Sequence, residues 1–153
     1  MDTKIFIVED NRFYGMLLKS EIEKSFQGDI EIFPTGEMFL NNLYRNPDIV
    51  ILDHHLGTMN GVGLLKQVKE AHPQLEIILL SSQESMNVAV HSLKYGAYEY
   101  VEKNKYTFPR ISFLIRKIQQ ESSTKKNKRI KSQFIIAGLI ILLISVLMFF
   151  LKK

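Results

Sequence analysis

The sequence of 153 residues has no cysteine and no tryptophan. The absence of cysteine excludes a disulfide framework, a thiolate metal site and a thiol nucleophile, and it is compatible with a reducing compartment. A signal peptide is not expected, because the chain starts with Met1-Asp2-Thr3-Lys4 and only a short apolar run precedes Glu9. The front of the chain is therefore predicted to stay in the compartment in which it is made.

Charge is distributed unevenly along the chain. The 20 basic and 16 acidic residues give a formal net charge of +4, but residues 1–120 carry a net charge of −2 and residues 121–153 a net charge of +6. The C-terminal part also contains 18 consecutive residues without a charge, at 134–151. As a helix, this run would be about 27 Å long, against a hydrocarbon core of about 30 Å. We therefore expect a single membrane-spanning helix.

Basic residues on both sides of the apolar run extend this prediction. Lys131 on one side and Lys152 and Lys153 on the other can reach the two membrane interfaces. Five basic residues at 125–131 predict, by the positive-inside rule, a cytoplasmic location for the preceding domain, with lipid contacts over 125–151. The predicted division is a folded domain at 1–121, a basic juxtamembrane linker at 122–132, and a transmembrane helix with a short tail at 133–153. Whether the linker continues the preceding helix is not decided by the sequence.

The first 120 residues alternate between strand-like and helix-like patterns. Runs rich in Val, Ile and Leu predict strands at 5–8, 30–33, 49–52 and 75–80, with a weaker one at 98–101. Three of the first four are apolar almost throughout, as in parallel strands covered on both faces. Apolar residues with helical spacing follow each strand, such as Tyr14 and Leu18 after the first and Met86, Val90 and Leu93 after the fourth. This order predicts an α/β domain with a doubly wound (βα)5 parallel sheet.

Polar residues follow the carboxyl ends of the predicted strands, where ligands bind in open parallel sheets. Glu9 and Asp10 follow the first strand, Asp53 the third, Ser81 the fourth, and Lys103 the fifth. Three carboxylates close together are unfavourable unless a cation compensates them, and Mg²⁺ prefers oxygen ligands and few carboxylates. A carboxylate beside Mg²⁺ can be a nucleophile toward phosphorus and form an aspartyl phosphate. A serine hydroxyl and a lysine ammonium can then bind the phosphoryl oxygens.

This arrangement resembles the receiver domain of two-component response regulators, over residues 1 to about 120. The motifs that carry the resemblance are Ile-Phe-Ile-Val-Glu9-Asp10-Asn, Ile-Val-Ile-Leu-Asp53, Asp53-His-His-Leu-Gly-Thr-Met-Asn-Gly61, Ile-Ile-Leu-Leu-Ser81-Ser82 and Tyr95-Gly-Ala-Tyr-Glu-Tyr100-Val-Glu-Lys103. Five landmarks in the family's order are hard to obtain by chance. The resemblance implies a flavodoxin-like sheet with strand order 2-1-3-4-5, as in chemotaxis-type receivers.

The resemblance also implies a phosphorylation and metal site. Asp53 matches the family's phosphoacceptor. Glu9 and Asp10 match its acid pair, and with Asp53 and the main-chain carbonyl of His55 they would hold Mg²⁺. Glu9 stands where aspartate is commoner, and as the longer carboxylate it is expected to reach the metal through water.

The residues of the predicted switch come from the last two strands. By resemblance, Ser81 and Lys103 bind the phosphoryl group, and Tyr100 responds with a change of rotamer. The surface of the fourth helix, the fifth strand and the fifth helix would change with it. Tyr100 can equally be a tyrosine packed at the end of the sheet, because a switch aromatic and a packed one look alike in sequence.

Two positions depart from the family's pattern. Gly57 stands where the family has a proline four residues after the acceptor, which adds backbone entropy to the loop. Asn104 stands where the family has a proline after the lysine, at the turn that directs Lys103 into the site. Neither departure removes a reacting group.

These observations predict a membrane-anchored, stand-alone response regulator receiver that signals by docking to a partner protein. It would be phosphorylated on Asp53 by a histidine kinase or phosphotransfer protein, with Mg²⁺ as cofactor. We expect neither an enzyme with a small-molecule substrate nor a nucleic-acid binder, because no DNA-binding domain fits between Gln120 and Gln133. Two alternatives stay open: a receiver-like membrane adaptor that never carries phosphate, and a phosphate sink or relay.

Overall fold

The computed structural model of the protein describes residues 3–57, 59–82 and 85–151. The chain divides into two compact units, residues 1–116 and 117–153. The strands are β1 (Lys4–Val8), β2 (Asp29–Phe33), β3 (Ile49–Asp53), β4 (His55–Leu56), β5 (Met59–Asn60), β6 (Glu76–Ser81) and β7 (Glu99–Glu102). The α-helices are α1 (Arg12–Glu23), α2 (Gly36–Asn42), α3 (Gly61–Ala71), α4 (Met86–Lys94) and α5 (Thr107–Leu151), and a 3₁₀ turn at Leu43–Arg45 follows α2.

Five parallel strands form the sheet of the first unit, in the order β2-β1-β3-β6-β7. The two remaining strands, β4 and β5, form a separate antiparallel hairpin in which His55 pairs with Asn60. Counted over the five sheet strands alone, this is the order 2-1-3-4-5. The predicted doubly wound α/β fold is therefore confirmed. The hairpin of β4 and β5 was not predicted, because strands of two residues are too short to give a recognisable sequence pattern.

Burial follows the pattern expected for a sheet covered on both faces. All five residues of the central strand β3 are buried, whereas β2 at the edge of the sheet begins with an exposed residue. Three aromatic rings, those of Phe6, Phe33 and Phe39, contact one another in the core, with the closest centroids 4.7 Å apart. The central position of β1 and β3 is thus stabilised by apolar contacts on both sides.

Four helices begin directly after a side chain that caps their first turn. The cap residues are Asn11 for α1, Thr35 for α2, Asn60 for α3 and Ser85 for α4, and each accepts a hydrogen bond from a backbone N–H two or three residues further on. The caps of α1, α2 and α4 follow the carboxyl ends of the sheet strands β1, β2 and β6, whereas the cap of α3 is the last residue of the hairpin strand β5. The starts of α1, α2 and α4 are therefore set at the edge of the sheet that also carries the acidic residues.

Helix α4 forms where the apolar spacing predicts it, but its apolar side chains face outward. Met86, Val90 and Leu93 are 82%, 56% and 50% exposed. The other side of the helix supplies Val88, which packs against the core, and the buried Ser92. Helical spacing therefore identified the helix, whereas the face that contacts the sheet carries smaller and more polar residues.

The last helix, α5, runs without interruption from Thr107 to Leu151. In the first unit, its residues Ile111, Leu114 and Ile115 are buried. In the second unit, the basic segment 122–132 is helical. Large apolar side chains further along, among them Phe134 and Ile141, are exposed.

The prediction of a single-pass membrane protein is wrong for the part of the chain that the structure describes. No helix among these residues is both long and apolar enough to cross a bilayer. The run at 134–151 is the end of the long helix α5, which also contains a polar, basic section. The prediction also relied on Lys152 and Lys153, which lie outside the described residues.

Candidate functional site

Three carboxylates lie together at the carboxyl edge of the sheet. Glu9 and Asp10 follow β1, Asp53 ends β3, and one oxygen of each lies within 4.8 Å of the others. They meet because β1 and β3 are adjacent and parallel, with Val8 opposite Leu52. Glu9 and Asp53 are buried and Asp10 is exposed. The edge thus concentrates negative charge at a position that solvent reaches from one side.

Lys103 supplies the positive charge of this cluster. Its Nζ lies 2.7 Å from Glu9 Oε2 and 3.0 Å from Asp53 Oδ2, and its side chain is 16% exposed. The backbone N–H of Lys103 donates to the carbonyl of Ser81 at 2.7 Å, which holds the segment after β7 against the end of β6. One ammonium therefore bridges the two buried carboxylates.

The electrostatics of the cluster agree with this packing. Burial raises the pKa of Glu9 to about 7, and the charge of Asp53 acts in the same direction against the opposing effect of Lys103. Burial disfavours the ammonium of Lys103, but hydrogen bonds to Glu9 and Asp53 outweigh it and raise its pKa. A single ammonium thus leaves the carboxylate cluster undercompensated.

Glycines shape the loop that follows Asp53. A Cβ at position 61 would lie 2.2 Å from the carbonyl oxygen of Asp53, so only glycine fits there, and its N–H donates to the carbonyl of His54 at 2.8 Å. Gly57 has a positive φ of 59°, and its N–H donates to Asp10 Oδ2 at 2.9 Å. Proline has no N–H and cannot adopt this φ, so glycine at position 57 creates a contact to the acid pair that proline would remove.

The segment after Lys103 forms a compact turn. The N–H of Asn104 donates to Thr107 Oγ1 at 2.7 Å, and the single hydroxyl proton of Thr107 has two acceptors within reach, the carbonyl oxygens of Glu102 at 3.0 Å and Asn104 at 2.8 Å. Thr107 is buried and starts α5. Asn104 therefore does not prevent Lys103 from reaching the carboxylates.

The other predicted site residues lie at or near the same edge. Ser81 is fully buried at the end of β6, opposite Glu102 of β7. His55 is exposed in β4, and its Nε2 lies 3.2 Å from Nδ1 of His54. Tyr100 lies in β7 opposite Leu79 and packs partly buried against the core.

One residue of the site was missed in the sequence. The ring of Tyr14 lies against Lys103, with the ammonium 4.5 Å from the ring centroid. In the sequence Tyr14 is simply one of the apolar positions of the first helix. Tyr14 lies in the first helical turn after Glu9 and Asp10, and this turn starts at the same edge of the sheet. That position in the sequence could have indicated that Tyr14 belongs to the site.

Comparison with known proteins identifies the family of this fold and site. A family model described as the response regulator receiver domain matches residues 5–110. The chain belongs to the response regulator receiver family. Receivers are signalling modules that are generally not enzymes, and histidine kinases or phosphotransfer proteins phosphorylate them.

Curated relatives share only this domain with the chain. It is 34% identical to the luminescence regulatory protein LuxO of Vibrio campbellii over 98 residues, which are 63% of this chain and 21% of LuxO. It is 33% identical to the DNA-binding transcriptional regulator NtrC of Klebsiella pneumoniae over 72 residues, which are 46% of this chain and 15% of NtrC. The matched region thus spans about a fifth or less of these two regulators.

Solved structures agree on the fold. The signal receiver domain of a putative LuxO repressor protein from Vibrio parahaemolyticus superposes with a TM-score of 0.75 at 21% identity, covering 82% of this chain and 96% of that one. The BeF3-activated DrrB receiver domain superposes with a TM-score of 0.71 at 24% identity, covering 78% of this chain and 99% of that one. At these identities the likeness establishes the receiver fold alone.

The acidic cluster has the chemistry that a receiver's Mg²⁺ site needs. Receivers bind Mg²⁺ at an acidic pocket, and this receiver has such a cluster in Glu9, Asp10 and Asp53. Oxygen ligands at about 2.1 Å from an octahedral Mg²⁺ lie about 3 to 4 Å apart. Carboxylate oxygens within 4.8 Å of one another are close to that spacing, and a divalent cation would compensate the negative charge that Lys103 leaves. The residues present therefore fit the ion.

Proposed function

We propose that this receiver is a phosphorylation switch in which Asp53 accepts a phosphoryl group from a histidine kinase or a phosphotransfer protein. The observation that carries the proposal is the position of Lys103, which places one ammonium 2.7 Å from Glu9 and 3.0 Å from Asp53 at the carboxyl edge of the sheet. In this position the ammonium of Lys103 can compensate negative charge on the carboxylate of Asp53, the group proposed to react. The family membership of the chain supports the same function.

In the proposed reaction an Oδ atom of Asp53 attacks the phosphorus of a phosphohistidine. The new P–O bond forms as the P–N bond breaks, and the imidazole leaves with the electron pair of that bond. The product is an acyl phosphate on Asp53. The negative charge on the phosphoryl oxygens grows at the position that the ammonium of Lys103 faces, so Lys103 is proposed to stay beside the phosphoryl group after transfer.

The remaining site residues are proposed to bind and read out the phosphoryl group. The hydroxyl of Ser81, at the end of β6 beside the segment of Lys103, would donate to a phosphoryl oxygen. Tyr100 would respond through the strand β7 that pairs with β6. Glu9, Asp10, Asp53 and the main-chain carbonyl of His55 would hold Mg²⁺, which when bound supplies positive charge to the carboxylates and the phosphoryl oxygens.

Output is proposed to occur by protein docking on the surface of α4, β7 and α5. Met86, Val90 and Leu93 expose apolar side chains on α4, and a cavity of about 240 Å³ lies beside Tyr100 and Arg110 at β7 and α5. Exposed apolar side chains near a predicted switch residue are suited to a partner surface. Within this proposal the receiver extends over residues 1–121.

The test is intact-mass analysis of the full chain after incubation with acetyl phosphate, with and without Mg²⁺. We expect a single phosphoryl adduct that requires both Mg²⁺ and Asp53, so that Asp53→Asn gives none. Asp48→Asn is the matched control, because it makes the same chemical change just before the other end of β3, where Asp48 accepts a hydrogen bond from the N–H of Lys4. This control should be phosphorylated like the wild type.

Absence of the adduct on a folded protein, with acetyl phosphate and with a histidine kinase, would overturn the proposal. The receiver-like adaptor that never carries phosphate would then be the better interpretation. An adduct that is lost within seconds and returned readily to a kinase would instead favour the phosphate sink or relay.

A further inference from the structure

Lys103 makes a third contact that charge compensation does not require. Besides the carboxylates of Glu9 and Asp53, its ammonium faces the ring of Tyr14, 4.5 Å from the centroid. Each of the three partners comes from a different part of the chain, the end of β1, the end of β3 and the first turn of α1. The ammonium of Lys103 therefore contacts two carboxylates of opposite charge and one uncharged aromatic ring.

The ring of Tyr14 is held in place by its surroundings. The backbone N–H of Tyr14 donates to Oδ1 of the cap residue Asn11 at 3.1 Å, which fixes the first turn of α1 directly after the acid pair. The ring also contacts Phe108, with centroids 6.0 Å apart and planes inclined at 30°. The hydroxyl oxygen is buried. Tyr14 is therefore a fixed wall of the site and not a mobile surface side chain.

The ring offers an attraction that survives phosphorylation. Lysine has a long, flexible stem, and the positive end of the α1 dipole disfavours an ammonium near the start of that helix. The face of an aromatic ring attracts a cation, and the attraction is larger when water is excluded. When Asp53 becomes an acyl phosphate its direct ion pair with Lys103 is replaced, whereas the ring contact does not depend on the state of Asp53.

From this geometry we infer that Tyr14 is a positioning residue, which holds the ammonium of Lys103 over Asp53 while the carboxylate is converted to an acyl phosphate. The inference rests on the proposed function, and it assigns Tyr14 no contact with the reacting atoms. Tyr14 would act through Lys103 alone, so its removal should slow phosphorylation without abolishing it.

The chain offers a matched control for this role. Lys66 faces the ring of Tyr95 at 5.6 Å, a lysine and tyrosine pair that lies outside the acidic cluster. Tyr95→Leu therefore removes the same kind of contact at a position from which no effect on phosphorylation is expected.

The experiment follows the lysine side chain and the reaction in the same proteins. Two-dimensional ¹H–¹³C spectra of the full chain labelled at lysine report the ε-methylene of Lys103, which is assigned with Lys103→Arg. Phosphorylation by acetyl phosphate with Mg²⁺ is timed by intact mass. The variants are Tyr14→Phe, which keeps the ring, Tyr14→Leu and Tyr14→Met, which remove it, and Tyr95→Leu.

The ε-methylene of Lys103 should be shifted upfield by the ring current in the wild type and in Tyr14→Phe, and not in Tyr14→Leu or Tyr14→Met. The phosphorylation rate should fall about fivefold in the last two, a size expected for a partly desolvated cation–π contact. Tyr14→Phe and Tyr95→Leu should stay within about twofold of the wild type. Rescue by phenylalanine separates the effect of the ring from that of the hydroxyl.

The inference is overturned if the ε-methylene of Lys103 shows no ring-current shift in the wild type. This test does not require any variant at position 14 to fold. It is also overturned if folded Tyr14→Leu or Tyr14→Met is phosphorylated at the wild-type rate. A wild-type protein that takes no phosphoryl group would instead overturn the proposed function, and the role of Tyr14 with it. The two failures are thus distinguishable from the wild-type adduct alone.

Discussion

The two sides of the acidic site hold their charges in different ways. On the inner side Glu9 and Asp53 are buried, and the ammonium of Lys103 forms an ion pair with each of them, at distances of 2.7 and 3.0 Å. On the outer side Asp10 is exposed, and it accepts a hydrogen bond from a neutral backbone N–H, that of Gly57. A carboxylate is thus compensated by the Lys103 ammonium on the buried side of the site and by the dipole of a backbone N–H on the exposed side.

This difference indicates that the two sides serve different purposes. A buried carboxylate without a counter-charge is costly, so the inner side must be part of the stability of the fold. An exposed carboxylate costs little in any state, so the outer side is available for a ligand. We therefore expect substitutions on the inner side to change folding and those on the outer side to change metal binding.

The largest effect is expected from removing the ammonium on the inner side. In metal-free buffer Lys103→Met should lower the free energy of unfolding by about 3 kcal/mol, because it leaves two buried carboxylates without a counter-charge. Urea denaturation followed by circular dichroism measures this change. Lys105→Met, at an exposed lysine that faces Tyr106, is the control and should change stability by less than about 0.5 kcal/mol.

Added Mg²⁺ should restore part of the stability that Lys103→Met loses, since a divalent cation can compensate the same carboxylates. A loss below about 1 kcal/mol without metal would contradict the assignment of a stabilising role to the inner side.

An intermediate effect is expected from the loop on the outer side. Gly57→Pro removes the N–H that orients Asp10, and we expect it to lower the affinity for Mg²⁺ about tenfold, the effect typical of losing a group that orients a metal ligand. Gly57→Ala keeps the N–H and has open space for its Cβ, so it should cost about 1 kcal/mol of stability at this positive φ but leave the affinity within about twofold.

Titration of amide chemical shifts with Mg²⁺ measures both affinities. Equal affinities in the two Gly57 variants would show that the hydrogen bond to Asp10 does not matter for the ion.

The smallest effect on folding is expected from Asp10 itself. In metal-free buffer Asp10→Asn should change the free energy of unfolding by less than about 0.5 kcal/mol, because the carboxylate is exposed. The wild type should gain about 1.4 kcal/mol at a Mg²⁺ concentration ten times Kd, and Asp10→Asn should lose most of this gain.

Thermal and urea unfolding with and without Mg²⁺ give the comparison for Asp10→Asn. Glu70→Gln, at an exposed acid of α3 outside the cluster, should keep the full gain. If Asp10→Asn changed the free energy of unfolding strongly in metal-free buffer, the outer side would also stabilise the fold, and the proposed difference between the two sides would be wrong.

Much of the fold could be predicted because its signals are local. Continuous apolar runs indicate strands covered on both faces, and apolar residues with helical spacing indicate helices, so the order of elements follows from short stretches of sequence. The outward-facing Met86, Val90 and Leu93 were less predictable, because spacing identifies a helix but not the face that contacts the sheet. The membrane span was predicted from composition alone and is the prediction that the structure overturns.

The sequence by itself determined which residues stand at the carboxyl ends of the strands. Strand propensity and the alternation of elements act over a few residues, and in a parallel sheet they bring Glu9, Asp53, Ser81 and Lys103 to one edge. Their chemical types, and with them the resemblance to receivers, needed no coordinates.

Only the tertiary structure decided which of these groups contact one another. Lys103 meets Glu9 across 94 positions of sequence, Gly57 meets Asp10 across 47, and the ring of Tyr14 meets the ammonium of Lys103. Such contacts depend on side-chain direction and loop geometry at the ends of strands that are neighbours only in the folded sheet. Residue spacing along the chain carries no information about these distances, so the division between the buried and the exposed side of the site emerged only with the fold.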